Sequence, residues 1–172
     1  AMQQFDLIII GGGPGGYLCA ERAGKAGLKP ALIEKNTLGG TCLNEGCIPT
    51  KSLLYCAKQY QSALHGADYG VTAENVSFDH AKAVLRKDGV VKTLVRGVGS
   101  AMKTHGVTVF PAEGRILSKT GEQFTVAAGG EDGGLAAQTF LSLVLQGEVH
   151  QHDGVLLHDA QQQDDADQRD HG

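Results

Sequence analysis

Three glycines in the pattern Gly11-x-Gly13-x-x-Gly16 sit between two short apolar runs, and they constrain this chain more than any other feature. Residues 5–10 are mostly apolar and read as a strand buried on both faces of a parallel sheet. Residues 17–26 are rich in alanine and read as a helix ending near Gly27, and residues 29–33 form a second apolar run closed by Glu34. Strand, glycine turn, helix and strand within about thirty residues make a βαβ unit. In that context each glycine has a task. Gly11 permits the tight turn, Gly13 lets the backbone approach a pyrophosphate, and Gly16 allows close helix–strand packing. Pro14 and Gly15 complete the turn. The start of the helix offers unpaired N–H groups and a partial positive charge to phosphates. Glu34 lies 18 residues past Gly16, placed to accept hydrogen bonds from ribose hydroxyls, which favours FAD or NAD over a 2'-phosphorylated cofactor. A tight turn with no ligand is the alternative for a bare glycine triplet; Glu34 and the flanking strands argue against it.

Cys42 and Cys47 follow directly, separated by four residues in the segment 39–51, GGTCLNEGCIPTK. This continuity with the fingerprint favours FAD over NAD. Three readings of the pair compete. A zinc site needs a second pair of ligands, and Cys19, inside the first helix, does not form one with Cys56. Two buried packing thiols are the bland reading. A redox couple is the third, and the position of Cys47 favours it. Ile48-Pro49 open a helix expected over residues 50–64, so the Cys47 sulfur stands at a helix N-terminus, where the dipole lowers thiol pKa. Gly39, Gly40 and Gly46 permit a cramped bridged loop open to a flat ring system. Lys51, one turn along, brings a cation to the edge of that ring. Its alternative is an ordinary solvated lysine.

Further along, residues 80–104 place Val84, Leu85, Val91, Leu94, Val95, Val98 and Met102 at helical spacing, capped by Ser77 or Asp79 and weakened by Gly89 and Gly97. Residues 107–110 read as a buried strand. Residues 113–117 and 123–127 read as two antiparallel strands. Beyond Ala128 the character changes. Residues 129–134 are a breaker cluster, residues 135–145 form one amphipathic or buried element, and residues 161–170 have the composition of a disordered segment.

Charge follows the same division. Residues 1–147 hold fourteen Lys/Arg against twelve Asp/Glu, a balance of +2, whereas residues 148–172 hold one Arg against seven acids, a balance of −6. Dispersed basic residues exclude a nucleic-acid footprint, and an acidic end is ordinarily solvated. No stretch reaches the ~20 apolar residues of a membrane span. The start lacks a secretory signal, and Ala1 before Met2 reads as a scar of recombinant expression. Four cysteines without a signal point to a reducing, cytoplasmic setting.

The residues 9–17, IIGGGPGGY, with 32–35, LIEK, and 38–54 closely resemble the flavoprotein disulfide reductases, the class I pyridine nucleotide-disulfide oxidoreductases. Within them the wording of residues 43–51 is most similar to the dihydrolipoamide dehydrogenases; glutathione and mercuric reductases resemble it less around residues 48–51. The resemblance covers residues 5–127. It implies an α/β fold: a Rossmann-like FAD-binding βαβ domain, incomplete, with a small antiparallel β element and an irregular acidic tail. The domains are then 1–127, the FAD and redox-disulfide portion, and 128–172, foreign to the family.

The resemblance further implies FAD contacts at Glu34, Lys35, Asn36, Thr37, Leu38, Gly39, Gly40, Thr41, Cys42 and Lys51 and from backbone at Ala112 and Gly114. Cys42 becomes the thiol that exchanges with the substrate dithiol, and Cys47 the thiolate facing the flavin, with electrons passing on to NAD+. The implied partners are the dihydrolipoyl group of a 2-oxo acid dehydrogenase or glycine cleavage complex and a second subunit of a homodimer. The family's Ala-Thr-Gly segment, NAD domain, interface domain and His–Glu proton acceptor do not follow; His150, His152, His158 and His171 stand in tail-like sequence. A truncated or frame-shifted product, inactive alone, is expected. The competing functions are an FAD- or adenine-nucleotide-binding module without catalysis and a different flavin disulfide reductase.

Overall fold

A computed structural model describes residues 2–129 and 134–138. The apolar run at residues 5–10 does not form one strand, as the sequence predicts; it divides at Asp6. β1 (Gln3–Phe5) and β2 (Leu7–Ile10) belong to different sheets. Asp6 makes the break by bonding twice to Lys29: its N–H donates to the Lys29 carbonyl at 3.0 Å and its carboxylate accepts the Lys29 N–H at 2.7 Å. A period-2 pattern cannot show such a change of sheet, because Phe5 and Leu7–Ile10 are all apolar residues in extended backbone on both sides of the break.

β2 is followed by α1 (Pro14–Lys25) and β3 (Pro30–Ile33), completing the βαβ unit. β3 pairs parallel with β2 and, on its other edge, with β4 (Thr108–Phe110), giving the order β2-β3-β4. Pro14 occupies the start of α1, so that helix begins three residues ahead of the expected Tyr17. Between β3 and β4 lie α2 (Gly40–Asn44), α3 (Cys47–Leu64), a 3₁₀ turn (Gly66–Tyr69) and α4 (His80–Thr104). α4 has the span its periodicity predicts, and Asp79 caps it by accepting the Lys82 N–H at 3.1 Å.

The second sheet has the order β1-β7-β6-β5, from β5 (Gly114–Thr120), β6 (Gln123–Ala128) and β7 (Leu135–Gln138). β5 and β6 are the expected antiparallel pair. β7 is antiparallel to β6 and parallel to β1, with Gln3 opposite Leu135. The boundary expected at residue 128 therefore falls inside the sheet, and the fold continues to Gln138. The expected element over 135–145 is a strand in its first four residues; its remainder, and residues 139–172 with their four histidines, lie outside the described residues.

Three layers result. Leu7, Ile9 and Leu32 face the helices, where they pack with Ala20 and Ala23 of α1, Met102 of α4 and Val107. Ile8, Ala31 and Ile33 face the second sheet and meet Phe5, Val126, Leu135 and Ala137. Alternate residues of one strand thus enter two cores, which is why these runs carry no polar positions. α1 lies close because its buried face is Gly16, Ala20 and Ala23. A Cβ on Gly16 would stand 1.8 Å from the Gly11 carbonyl oxygen.

Candidate functional site

The glycine turn runs from the end of β2 into α1, and Gly13 is the residue that precedes the helix. No side chain caps that N-terminus and no acidic residue lies in its first turn. Its early N–H groups, at Gly15 and Gly16, are those that an anion satisfies. Gly11 is held to the neighbouring strand by its N–H on the Ile33 carbonyl at 2.7 Å.

Glu34, at the end of β3, folds over this turn. One carboxylate oxygen accepts the Gly12 N–H at 2.6 Å and the other accepts the Asn36 N–H at 2.7 Å. A carboxylate has about four acceptor positions, so two remain for a diol. Ala112 joins the same corner by donating its N–H to the Glu34 carbonyl at 3.1 Å, and a Cβ on Gly114 would lie 3.0 Å from the Ile10 side chain. The segments named from sequence thus converge at the C-terminal ends of β2 and β3, where ligands of open α/β sheets bind.

Gly12 is a residue the sequence reading passed over, being an "x" of the glycine pattern. Besides its bond to Glu34, its carbonyl accepts the Gly39 N–H at 2.7 Å, which ties the turn to the cysteine segment. A Cβ on Gly12 would stand 3.0 Å from both Glu34 Cβ and Leu38 Cδ2. Lys35, Asn36 and Thr37 are exposed on the way to α2, and Leu38 packs against the helix-side core. Gly39 adopts φ +97°, a conformation open to glycine and costly for other residues, and α2 begins there.

Cys42 therefore rides on a short helix where the sequence predicts a loop. Asn44, also unassigned by the sequence reading, fastens that helix: its Nδ2 donates to the Gly40 carbonyl at 2.9 Å and the Leu38 carbonyl at 3.2 Å. The Thr41 carbonyl then accepts the N–H of both Glu45, at 2.9 Å, and Gly46, at 2.7 Å, which reverses the chain. Cys47 comes back beside Cys42 as the first residue of α3. Pro49 lies within the first turn, as expected, and the helix starts three residues earlier than the expected Thr50.

Both cysteines are free thiols, Cys42 half-buried and Cys47 exposed. Hydrogen bonding to Cys47 pushes the Cys42 thiol up from its ordinary range, with partial desolvation and the Cys47 charge acting the same way; the Cys47 backbone N–H and the Lys51 ammonium oppose them. Cys42, Cys47 and Lys51 are thus brought together. Cys19 packs into the helix-side core, and its burial raises its thiol; Cys56 is half-buried on α3. No helix among the described residues is long and apolar enough to cross a membrane.

A dinucleotide fold whose glycine turn is bonded to a helix carrying one of two adjoining thiols has the architecture of a flavin disulfide reductase. The sequence profile of the pyridine nucleotide-disulphide oxidoreductases matches residues 5–138, and the chain belongs to that family of FAD-dependent oxidoreductases. It is 49% identical over 117 residues to a dihydrolipoyl dehydrogenase of Acholeplasma laidlawii, covering 67% of this chain and 35% of the relative. It is 44% identical over 128 residues to a dihydrolipoyl dehydrogenase of Pseudomonas aeruginosa, covering 73% of this chain and 28% of the relative. Among solved structures it is similar to the HOCl-induced flavoprotein disulfide reductase RclA of Escherichia coli, determined as a Cu(II) complex. The TM-score is 0.61 with 27% identity, over 80% of this chain and 27% of that one. The chain spans about a quarter to a third of the length of the curated relatives named here. Dihydrolipoyl dehydrogenases use FAD and NAD(H).

Proposed function

We propose that this chain is the FAD and dithiol portion of a dihydrolipoyl dehydrogenase, in which Cys42 and Cys47 take two electrons from a dihydrolipoyl group. The observation that carries this reading is the adjoining Cys42 and Cys47 thiols, on helices fastened through Gly39 and Gly12 to the glycine turn. The residues present fit an adenine dinucleotide. An uncapped twelve-residue helix faces a turn whose glycines leave no side chain in the way, and Glu34 closes over it with acceptor capacity to spare.

In that assignment Gly11, Gly13, Pro14, Gly15 and Gly16 hold the pyrophosphate and Glu34 the adenosine ribose. The segment 35–42, with backbone at Ala112 and Gly114, lines the remainder, and Lys51 places positive charge near the ring edge. Bound FAD supplies a two-electron acceptor between the thiols and NAD+. Cys42 is the thiol that meets substrate, and Cys47, at the head of α3, faces the cofactor side. The homodimer, the 2-oxo acid dehydrogenase or glycine cleavage partner and a cytoplasmic setting belong to this same proposal, as does a foreign stretch after residue 138.

The test is thiol exchange. Chain oxidised to the Cys42–Cys47 disulfide should be reduced by dihydrolipoamide, which leaves as the cyclic disulfide while the protein gains two thiols. C42S and C47S should each abolish the reaction, read by peptide-level mass spectrometry. FAD should bind with quenched fluorescence. Binding of FAD without dithiol exchange would leave a nucleotide module, and faster exchange with glutathione than with dihydrolipoamide would favour a different disulfide reductase.

A further inference from the structure

α3 carries Cys47 at its first position and Lys51 one turn on, yet of its eighteen residues only Pro49 and Ser52 are buried. Leu54 and Tyr55 are 63% and 53% exposed. Apolar burial therefore does little to fix where this helix lies along its axis. Ser52 is, among the described residues, the one buried polar side chain. It is buried because a partner meets it there: Nη1 of Arg86, on α4, donates to its Oγ at 3.0 Å. The same guanidinium lies 5.3 Å from the centre of the Tyr55 ring. Ser52 and Tyr55 are three residues apart and so face the same way, which means one side chain grips a full turn of α3 at two points.

α4 is itself anchored at the other end. Met102, 1% exposed, lies in the helix-side core with Val98 and Ala101 beside it. Cys42 has a separate anchor, through Asn44 and the Gly39–Gly12 bond. Cys42 is thus held by the glycine turn, and Cys47 is held at the start of α3 by the Thr41 bonds to Glu45 and Gly46 and along the helix by α3 resting on α4.

We propose that Arg86 is a positioning residue for the cysteine pair, holding α3 through Ser52 and Tyr55 in the register that keeps Cys47 within reach of Cys42. This rests on the reading of Cys42 and Cys47 as a redox couple. The guanidinium suits the role because its fork donates to a hydroxyl while its plane lies over an aromatic ring, and a lysine ammonium does not do both.

The experiment is a glutathione titration of the full chain. Oxidised glutathione takes two electrons and two protons from the Cys42 and Cys47 thiols; its own S–S bond breaks to two glutathione thiols as the protein bond forms. Peptide-level alkylation reads the equilibrium constant, with Cys19 on α1 as a control for the intact fold. R86M should lower that constant about fivefold or more, the scale of losing one hydrogen bond and a ring contact. R86K should fall between, retaining a donor without the plane, and S52A should lower it less than R86M. A role confined to overall stability would move the urea midpoint and leave the constant unchanged, which overturns the proposal. Should R86M fail to fold, S52A carries the test, and a wild-type constant in S52A is then the overturning result. No Cys42–Cys47 disulfide in wild type at any glutathione ratio defeats the redox reading as well; a normal wild-type disulfide with unchanged variants defeats only the role of Arg86.

Discussion

Glu34 and Cys42 show how much of the chemistry rests on single side chains. The Glu34 carboxylate spends two acceptor positions on the Gly12 and Asn36 N–H groups, which fixes its plane before any ligand arrives. A ribose diol then meets an acceptor that needs no reorganisation, whereas a 2'-phosphate meets a like charge. E34Q exchanges one of the two oxygens for a donor, so ADP affinity should fall about tenfold, the scale of a charge-assisted hydrogen bond. Discrimination against 2',5'-ADP should shrink alongside it; calorimetric titration with both nucleotides checks the pair of effects. At Cys42 the raised thiol has Cys47 as its first cause, and the opposing influences, the Cys47 backbone N–H and Lys51, survive removal of the Cys47 sulfur. C47A should therefore move the Cys42 titration downward and raise its alkylation rate at pH 8 about threefold or more, since rate follows thiolate fraction. An unchanged or slower rate would show that the pair does not interact as described.

At the scale of elements, the helices divide into those held by burial and those held by particular bonds. α1 buries a face of small residues against the sheet, and nothing more is needed. α4 buries only Ala83 and Met102, with Leu85 and Leu94 left 69% and 40% exposed, so the apolar stripe expected of it covers the core only at its C-terminal half. Intrinsic propensity then matters more. Gly89 and Gly97 have open space around them, and G89A and G97A should each stabilise the chain by about 0.5–1 kcal/mol in urea unfolding. α2 and the start of α3 are different again. Their bounds come from the Thr41 carbonyl, Asn44 and the positive φ of Gly39, none of which follows from hydrophobic period.

For the whole molecule, the second sheet closes one face of the first, and β7 is its keystone, paired to β1 on one side and β6 on the other. Leu135 is 4% exposed in the core that also holds Phe5, Ile8 and Val126. L135A should cost about 2–5 kcal/mol, the range for a buried leucine, and a loss of that size in the free energy of urea unfolding would show that residues past 128 belong to the domain. A loss under about 0.5 kcal/mol, the scale of a surface site, would return the boundary to the breaker cluster.

The βαβ unit, the span of α4 and the antiparallel pair were legible in the sequence, because each is written locally: in glycine spacing, in helical period, or in residues close along the chain. Ala112 and Gly114 were legible only by resemblance. Tertiary structure alone decided that Asp6 divides one apolar run between two sheets and that β7 joins β1 across more than 120 residues. It also decided that Gly12 links the two halves of the site and that Arg86 reaches Ser52. These depend on partners distant in sequence, and a local pattern of hydrophobicity carries no information about which distant group a backbone amide or a buried hydroxyl will meet.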